Sequence, residues 1–288
     1  MLPYLEKFID NLRKNDYSEE TVYNYERDLQ TFNNFLDKQQ KGFNSIDLSD
    51  IKEFINYLKS VNRETSKNVE AQKPLSIQSI NRIISSIKSY LNFLQQKNYL
   101  CPISPNHIHT IRNTKKHPQV AELNDIIRLI ESPSEFEKKN PHVALRNQAM
   151  LETLFVTGMR ISELVNLNKN QIDVSGKIFI EGKGRKQRFV YLTDRAKQHV
   201  QKYLNSRSDN HPALFIPYRG SRAGSVNSRI SPNYLQMKIK NYRERLKIDV
   251  PTSAHSLRHG FATYLAESGA NPAAIQILLD HESLDTTT

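Results

Sequence analysis

A chain of 288 residues has the length of about two ordinary domains. With 38% hydrophobic and 25% charged residues it is neither disordered by composition nor short of material for real cores. No apolar run approaches the roughly 20 residues of a membrane span, the charged start Met1–Phe8 is unlike a signal peptide, and the single Cys101 excludes an internal disulfide and a cysteine-cluster metal site. These features predict a soluble cytoplasmic protein. The net charge of +11 is unevenly placed. Residues 1–106 hold 14 Lys and Arg against 13 Asp and Glu, whereas residues 107–288 hold 27 against 17. A polyanion such as nucleic acid is the natural partner of so basic a second half, although a plain solubility charge has the same signature.

In chain order, the first hundred residues predict helices only. Leu2, Leu5, Phe8, Ile9 and Leu12 recur at helical spacing. Ser18 is a good N-cap for a second helix carrying Val22, Tyr25, Leu29, Phe32 and Leu36. Ile51, Phe54, Ile55 and Leu58 mark a third helix from about Ser49. A polar stretch from Asn62 to Lys73 reads as a loop. Ser76 then caps a long fourth helix from Ile77 to Leu94. Residues 1–106 are therefore expected to be a four-helix bundle.

Residues 107–120 contain Arg112, Lys115, Lys116 and three histidines, with no acid and no hydrophobic periodicity, and predict an extended basic linker. Residues 121–288 predict a mixed domain. Helices are expected at 121–131, 143–157, 160–168, from Asp194, and near 232–246, 254–267 and 272–279. The β-prone runs Ile178–Ile180 and Phe189–Leu192 flank a basic tip, as in a hairpin, and Leu214–Ile216 predicts a further short strand. The class is mostly α with a small antiparallel sheet.

Four local groups carry chemistry. In Thr157-Gly-Met-Arg160-Ile-Ser-Glu163-Leu, Gly158 ends one helix and Arg160 opens the next, which puts a guanidinium beside a helix N-terminus; a surface pair with Glu163 is the plainer reading. The tip Gly182-Lys183-Gly184-Arg185-Lys186-Gln187-Arg188 frees Lys183 to project but lacks the P-loop pattern, and a solvated basic hairpin also accounts for it. His255 and Arg258, three apart on a helix, share a face and can reach one small anion. His255, His259 and His281 as zinc ligands lack the His-Glu-x-x-His arrangement, so His259 is expected to serve in packing or support. His281 follows the last helix, where the dipole favours a protonated ring; a capping role is the alternative. Together Arg160, Lys183, His255, Arg258 and His281 form a cationic, proton-transferring set suited to in-line attack on a phosphodiester without a metal.

Thr-Gly-Met-Arg-Ile-Ser-Glu-Leu at 157–164, Gly-Lys-Gly-x-Lys-x-Arg at 182–188, His-Ser-Leu-Arg-His-x-x-Ala-Thr at 255–263 and His281 with Thr286-Thr287 resemble the tyrosine recombinases, in their Xer-like branch of recombinases and phage-type integrases. The resemblance spans essentially the whole chain. It implies a SAM-like core-binding domain, a linker and a catalytic domain. It further implies that Arg160 and Arg258 clamp the scissile phosphate, that Lys183 is general acid to the leaving 5′-hydroxyl, and that His255 and His281 assist in hydrogen bonding and proton transfer. No cofactor or metal is implied. The partners implied are double-stranded DNA and, for a full-length protein, fellow subunits in a DNA-bound tetramer.

Candidate DNA contacts are Arg112, Lys115 and Lys116 in the linker, Arg185, Lys186 and Arg188 in the hairpin, Arg219, Arg222 and Arg229 in an acid-free stretch, and Gln78, Asn81 and Arg82 on the fourth helix, which a merely solvated helix face would match equally. Two departures stand out. Asp280 replaces the glycine usual before the histidine, and the tyrosine expected nine positions after His281 falls two residues beyond Thr288. Tyr264, on the Arg258 helix, is expected to pack in the core instead. The sequence as written is thus expected to be truncated, to bind DNA without cutting it, and to assemble weakly. A non-catalytic DNA-binding accessory factor, a metal-dependent nuclease and a simple relaxing topoisomerase are the competing readings.

Overall fold

The computed structural model describes residues 1–61, 63–64, 73–112, 119–181, 187–220, 223–225 and 228–279. They fall into two compact units, Met1–Lys116 and His117–Thr288, so the division lies within the 107–120 stretch. Among the described residues no helix is long and apolar enough to cross a membrane.

The first unit consists of α1 (Leu5–Lys14), α2 (Glu19–Lys38), α3 (Leu48–Lys59) and α4 (Ile77–Gln96), with short 3-10 turns at Phe43–Ser45 and Pro105–His107. Local chemistry sets the helix starts. The Ser18 hydroxyl accepts the Thr21 N–H and the Ser76 hydroxyl that of Ser79, while Asp47 and Asp50 form a reciprocal capping box on α3. The helices close around Phe8, Leu29, Phe32, Phe54, Leu58, Ile80 and Ile84, all fully buried, each contributing roughly 1.5–3 kcal/mol of transfer free energy. Leu2 joins this core from ahead of α1, its N–H donating to Asn33 Oδ1 at 2.8 Å.

The linker is less free than its composition predicts. Ile108 is buried in the first unit's core and Ile111 packs against it. Asn81 fixes Ile111 from both sides, accepting its N–H at 2.8 Å and donating to its carbonyl at 2.9 Å. Most of the Asn62–Lys73 loop, and Lys115 and Lys116, lie outside the described residues.

The second unit contains α5 (Leu123–Phe136), α6 (Pro141–Thr157), α7 (Ile161–Asn166), a 3-10 turn (Lys169–Gln171), β1 (Lys177–Glu181), β2 (Gln187–Tyr191), α8 (Asp194–Asn205), α9 (Pro232–Arg245), α10 (Ala254–Glu267) and α11 (Pro272–Leu279). It is mostly helical with one small antiparallel pair. Helix α6 is its axis, packed by α5, α8 and α10 and buried on every side. The hairpin pairs Lys177 with Tyr191 and Glu181 with Gln187, turning Ile178, Ile180, Arg188 and Val190 inward.

Two expectations need correction. Helix α5 continues past 131 through Pro133, because the Ser132 hydroxyl donates to the Leu129 carbonyl that proline, lacking an N–H, leaves open. Leu214–Ile216 is not a strand. It is a buried, bent segment with an isolated Asn168–Ala213 bridge beside it, and its polar groups are met elsewhere: Leu214 N–H by the Leu167 carbonyl, Phe215 carbonyl by the Ile230 N–H, Leu214 carbonyl by Arg207, Ile216 carbonyl by Arg146. Two arginine side chains and two irregular backbone contacts meet the groups that a neighbouring strand would otherwise pair.

Candidate functional site

The end of α6 sets the site's origin. Gly158 leaves the helix at φ +58°, where a Cβ would lie 2.5 Å from both Phe261 of α10 and Leu279 of α11. Glycine is needed there for its backbone freedom and for the close approach of two further helices. Two residues on, Arg160 caps α7 and is partly exposed. Glu163 receives it twice: the Arg160 N–H donates to Oε2 at 2.7 Å and Nη1 to Oε1 at 3.1 Å. The surface-pair reading of Arg160 therefore holds in part. A glutamate three residues after the N-cap position is the sequence signal for this contact.

Glu163 has a second arginine. Arg188 of β2 forks onto it at 3.0 and 2.7 Å, and its Nε donates to the Leu278 carbonyl on α11 at 3.0 Å. Burial alone would raise the Glu163 carboxyl, but hydrogen bonds from Arg188 and from the Arg160 backbone, with both guanidinium charges, outweigh it and hold the group below its ordinary value. Arg188, expected on the surface against DNA, is thus an interior residue.

Arg258 of α10 is buried, with Nη1 donating to the Gly158 carbonyl at 2.7 Å and Nη2 to the Leu279 carbonyl. One helical turn earlier stands His255, exposed, whose Nε2 shares a hydrogen bond of 2.9 Å with Nε2 of His259. That bond needs a single proton, so the two rings cannot both be doubly protonated. Burial, followed by the Arg258 charge, lowers the His255 pKa; for His259 burial leads, with His255 and Arg258 behind it. The neutral form of each ring is therefore favoured more than in an ordinary histidine, and the pair is able to give or take a proton.

Arg160 and Arg258 therefore meet the chain at the α6–α7 junction, with His255 one turn before Arg258 on α10 and with α11 tied in by Arg188 and Arg258. Lys183 and His281 lie outside the described residues, as do Asp280, Arg185, Lys186 and Arg222. Arg160 is the partly exposed guanidinium of the set, while the buried Arg188 and Arg258 are held by backbone carbonyls and the shared carboxylate; with the imidazole pair they make a donor set suited to an anion whose charge grows during reaction.

The other surface candidates divide. Gln78, Arg82, Arg112 and Arg219 are exposed, Arg82 pairing with Asp28 and Arg219 donating to Asn140 at 2.9 Å. Asn81 is engaged with Ile111, and Arg229 holds the Asn166 and Leu167 carbonyls and Asn168, bracing the end of α7. Tyr264, expected in the core, is 45% exposed, because α10 turns Leu257, Phe261 and Ala262 inward instead.

Residues 119–288 match the phage integrase family, and residues 5–98 match the phage integrase N-terminal SAM-like domain. The chain is 31% identical over 299 residues to tyrosine recombinase XerD of Oceanobacillus iheyensis, covering 100% of this chain and 93% of that one. It is 28% identical over 284 residues to tyrosine recombinase XerC of Halalkalibacterium halodurans, covering 94% and 86%. Among solved structures, XerH site-specific recombinase bound to a palindromic difH substrate, a post-cleavage complex, has a TM-score of 0.74 at 21% identity, covering 98% of this chain and 78% of that one. A lambda integrase dimer bound to a COC′ core site has a TM-score of 0.71 at 15% identity, covering 99% and 92%. At these identities the structural likenesses speak to the fold.

Proposed function

The chain belongs to the phage integrase family of tyrosine recombinases, and from that premise we propose that it is a site-specific recombinase that cuts and rejoins duplex DNA through a covalent 3′-phosphotyrosine, with neither metal nor ATP. The observation that carries the reading is the grip of Arg258 on the Gly158 carbonyl, two residues before Arg160, with His255 one turn away on the same helix. In this reading Arg160 and Arg258 take the non-bridging oxygens of the scissile phosphate. A tyrosine oxygen attacks phosphorus, the bond to the 5′-oxygen breaks, and that oxygen takes a proton from Lys183. Attack by the partner strand's 5′-hydroxyl reverses the step and conserves the bond energy. His255 and His281 hydrogen-bond the phosphate and move protons. Each guanidinium is expected to supply about 3–4 kcal/mol of transition-state stabilisation, by analogy with oxyanion-hole donors.

Duplex DNA as partner is supported by the +10 balance of residues 107–288 and by the DNA-bound state of the XerH and lambda integrase relatives. Arg112, Arg219, Gln78 and Arg82 are the exposed contacts we assign to the backbone and grooves, with Lys115, Lys116, Arg185, Lys186 and Arg222 as further candidates from the sequence. Strand exchange in a tetramer of such subunits completes the reading.

A chain continued past Thr288 through a tyrosine at the ninth position after His281 is expected to form a covalent adduct on a nicked suicide duplex, indifferent to EDTA. Arg160→Met and Arg258→Met are each expected to slow adduct formation by about 100- to 1,000-fold. Binding without any adduct would make the protein an accessory factor, and cleavage abolished by EDTA would make it a metal nuclease; either result overturns the proposal.

A further inference from the structure

Asn81 is half-buried on α4, with exposed Gln78 one turn before it and exposed Ser85 one turn after. Its carboxamide is engaged by the chain itself. Oδ1 accepts the Ile111 N–H at 2.8 Å and Nδ2 donates to the Ile111 carbonyl at 2.9 Å. An amide side chain presents a donor and an acceptor side by side, as a residue of a neighbouring strand presents its own N–H and carbonyl. Apolar contacts hold the same segment: Ile103 and Ile108 are buried in the first unit's core and Ile111 packs against it. The backbone is therefore pinned up to Ile111, and the next residue, Arg112, is exposed. Among the described residues the Arg112 side chain makes no hydrogen bond, ion pair or ring contact, whereas Arg82 on the neighbouring α4 surface is paired with Asp28.

We propose that Asn81 is a positioning residue for DNA binding and not a base contact: it pins the chain at Ile111, so that Arg112 stands beside the α4 surface carrying Gln78 and Arg82 and meets the phosphate backbone of the same duplex. The inference rests on the reading of duplex DNA as the partner, and it goes beyond that reading by naming the side chain that sets where a phosphate contact begins. An arginine that leaves from a fixed backbone loses less conformational freedom on binding than one on a loose arm. The anchor carries no charge of its own, which gives the proposal a distinctive signature. An asparagine that reads a base changes the preference among sequences when it is lost, whereas one that places an arginine changes the dependence of binding on salt.

The test measures binding of the 288-residue chain to a mixed-sequence duplex of about 30 base pairs over a range of salt concentrations, since the slope of log affinity on log salt counts phosphate contacts. Arg112→Ala is expected to flatten that slope by about 0.9 and to weaken binding about fivefold at about 0.15 M salt, the share of one phosphate contact. Asn81→Leu removes no charge, yet it is expected to flatten the slope by at least half as much. The Asn81→Leu, Arg112→Ala double variant is expected to bind within about twofold of Arg112→Ala, because the anchor then has nothing left to position. Asn81→Gln keeps the donor and the acceptor one methylene farther out and is expected to fall between Asn81→Leu and the parent. Should Asn81→Leu fail to fold, Asn81→Ala carries the same comparison, since alanine also lacks both groups and suits a helix. An unchanged slope in Asn81→Leu beside a flattened one in Arg112→Ala overturns the positioning role, as does a double variant weakened by the product of the two single losses. An unchanged slope in Arg112→Ala removes the phosphate contact and the inference with it. A parent chain without salt-dependent affinity for the duplex overturns the reading of DNA as the partner.

Discussion

Among the described residues of the first unit the buried charges are carboxylates, Asp28 and Asp50, and the cations that meet them, Arg82 and Lys41, reach in from partly exposed positions. In the second unit Arg146, Arg188 and Arg258 are themselves buried, along with Glu152, and much of what receives the arginines is neutral: the carbonyls of Ile216, Leu278, Gly158 and Leu279, the Asn147 amide and the Tyr234 hydroxyl. The difference has a physical consequence. A carboxylate cancels the charge of the cation it binds, whereas a carbonyl satisfies the N–H donors and leaves the charge in place. The first arrangement goes with a nearly neutral helical bundle; the second places guanidinium groups inside the more basic unit.

The contrast can be broken by substitution. Arg146→Met strands the Ile216 carbonyl and leaves Asn147 Oδ1 with only the Tyr234 hydroxyl, and that hydroxyl with only the Asn147 amide, inside the second unit, and is expected to cost about 3 kcal/mol in urea unfolding. A loss below about 1 kcal/mol would show that buried arginines are incidental to this unit's stability. Arg82→Met is expected to cost less, about 1 kcal/mol, because Arg82 is 41% exposed and Asp28 keeps the Ser86 hydroxyl and Arg27. Burial leads in raising the Asp28 pKa, so its carboxyl accepts a proton more readily than usual once Arg82 is gone. Equal losses for the two arginines would erase the distinction between the units.

The smallest effect expected is on pH dependence. The folded pKa values of His255 and His259 lie below the ordinary 6.5, so on acidification the unfolded chain binds protons first. Their contribution to stability is fully present above pH 6.5 and is lost as pH falls through the folded values. Urea midpoints are expected to decline below pH 6.5 in the parent, and the decline to be shallower in a His255→Gln, His259→Gln double variant. A decline of the same size in both would show that the pair does not titrate as described.

Much of the architecture was legible along the chain because it is decided within a few residues. Ser18 and Ser76 cap the helices whose apolar spacing announces them, and alternation about the 182–188 tip announces the hairpin. What was misread depends on partners far away in sequence. Leu214–Ile216 has the composition of a strand, but its carbonyls are met by Arg207 and Arg146 and no strand lies beside it. Ile108 and Ile111 looked like passengers in a basic linker, since nothing local shows that Asn81, 30 residues earlier, holds the chain against the first core. Tyr264 shares a helix with buried residues but points outward, and one aromatic at a helix margin fits either face.

The amino-acid order by itself determined the helices, their caps, the hairpin, the concentration of positive charge after residue 106 and the motifs that mark the family, since propensity, capping and charge act over a few residues or add up without regard to shape. Only the tertiary structure decided which cations face inward. Arg160, Arg188 and Arg258 read alike as motif arginines, yet one is partly exposed and two are buried on carbonyls and a shared glutamate, contacts that bridge 25 residues between Glu163 and Arg188 and 100 between Gly158 and Arg258. Folding alone brings such partners within hydrogen-bond reach, and an arginine's surroundings, not its place in a motif, set whether its charge is cancelled, buried or offered to a ligand.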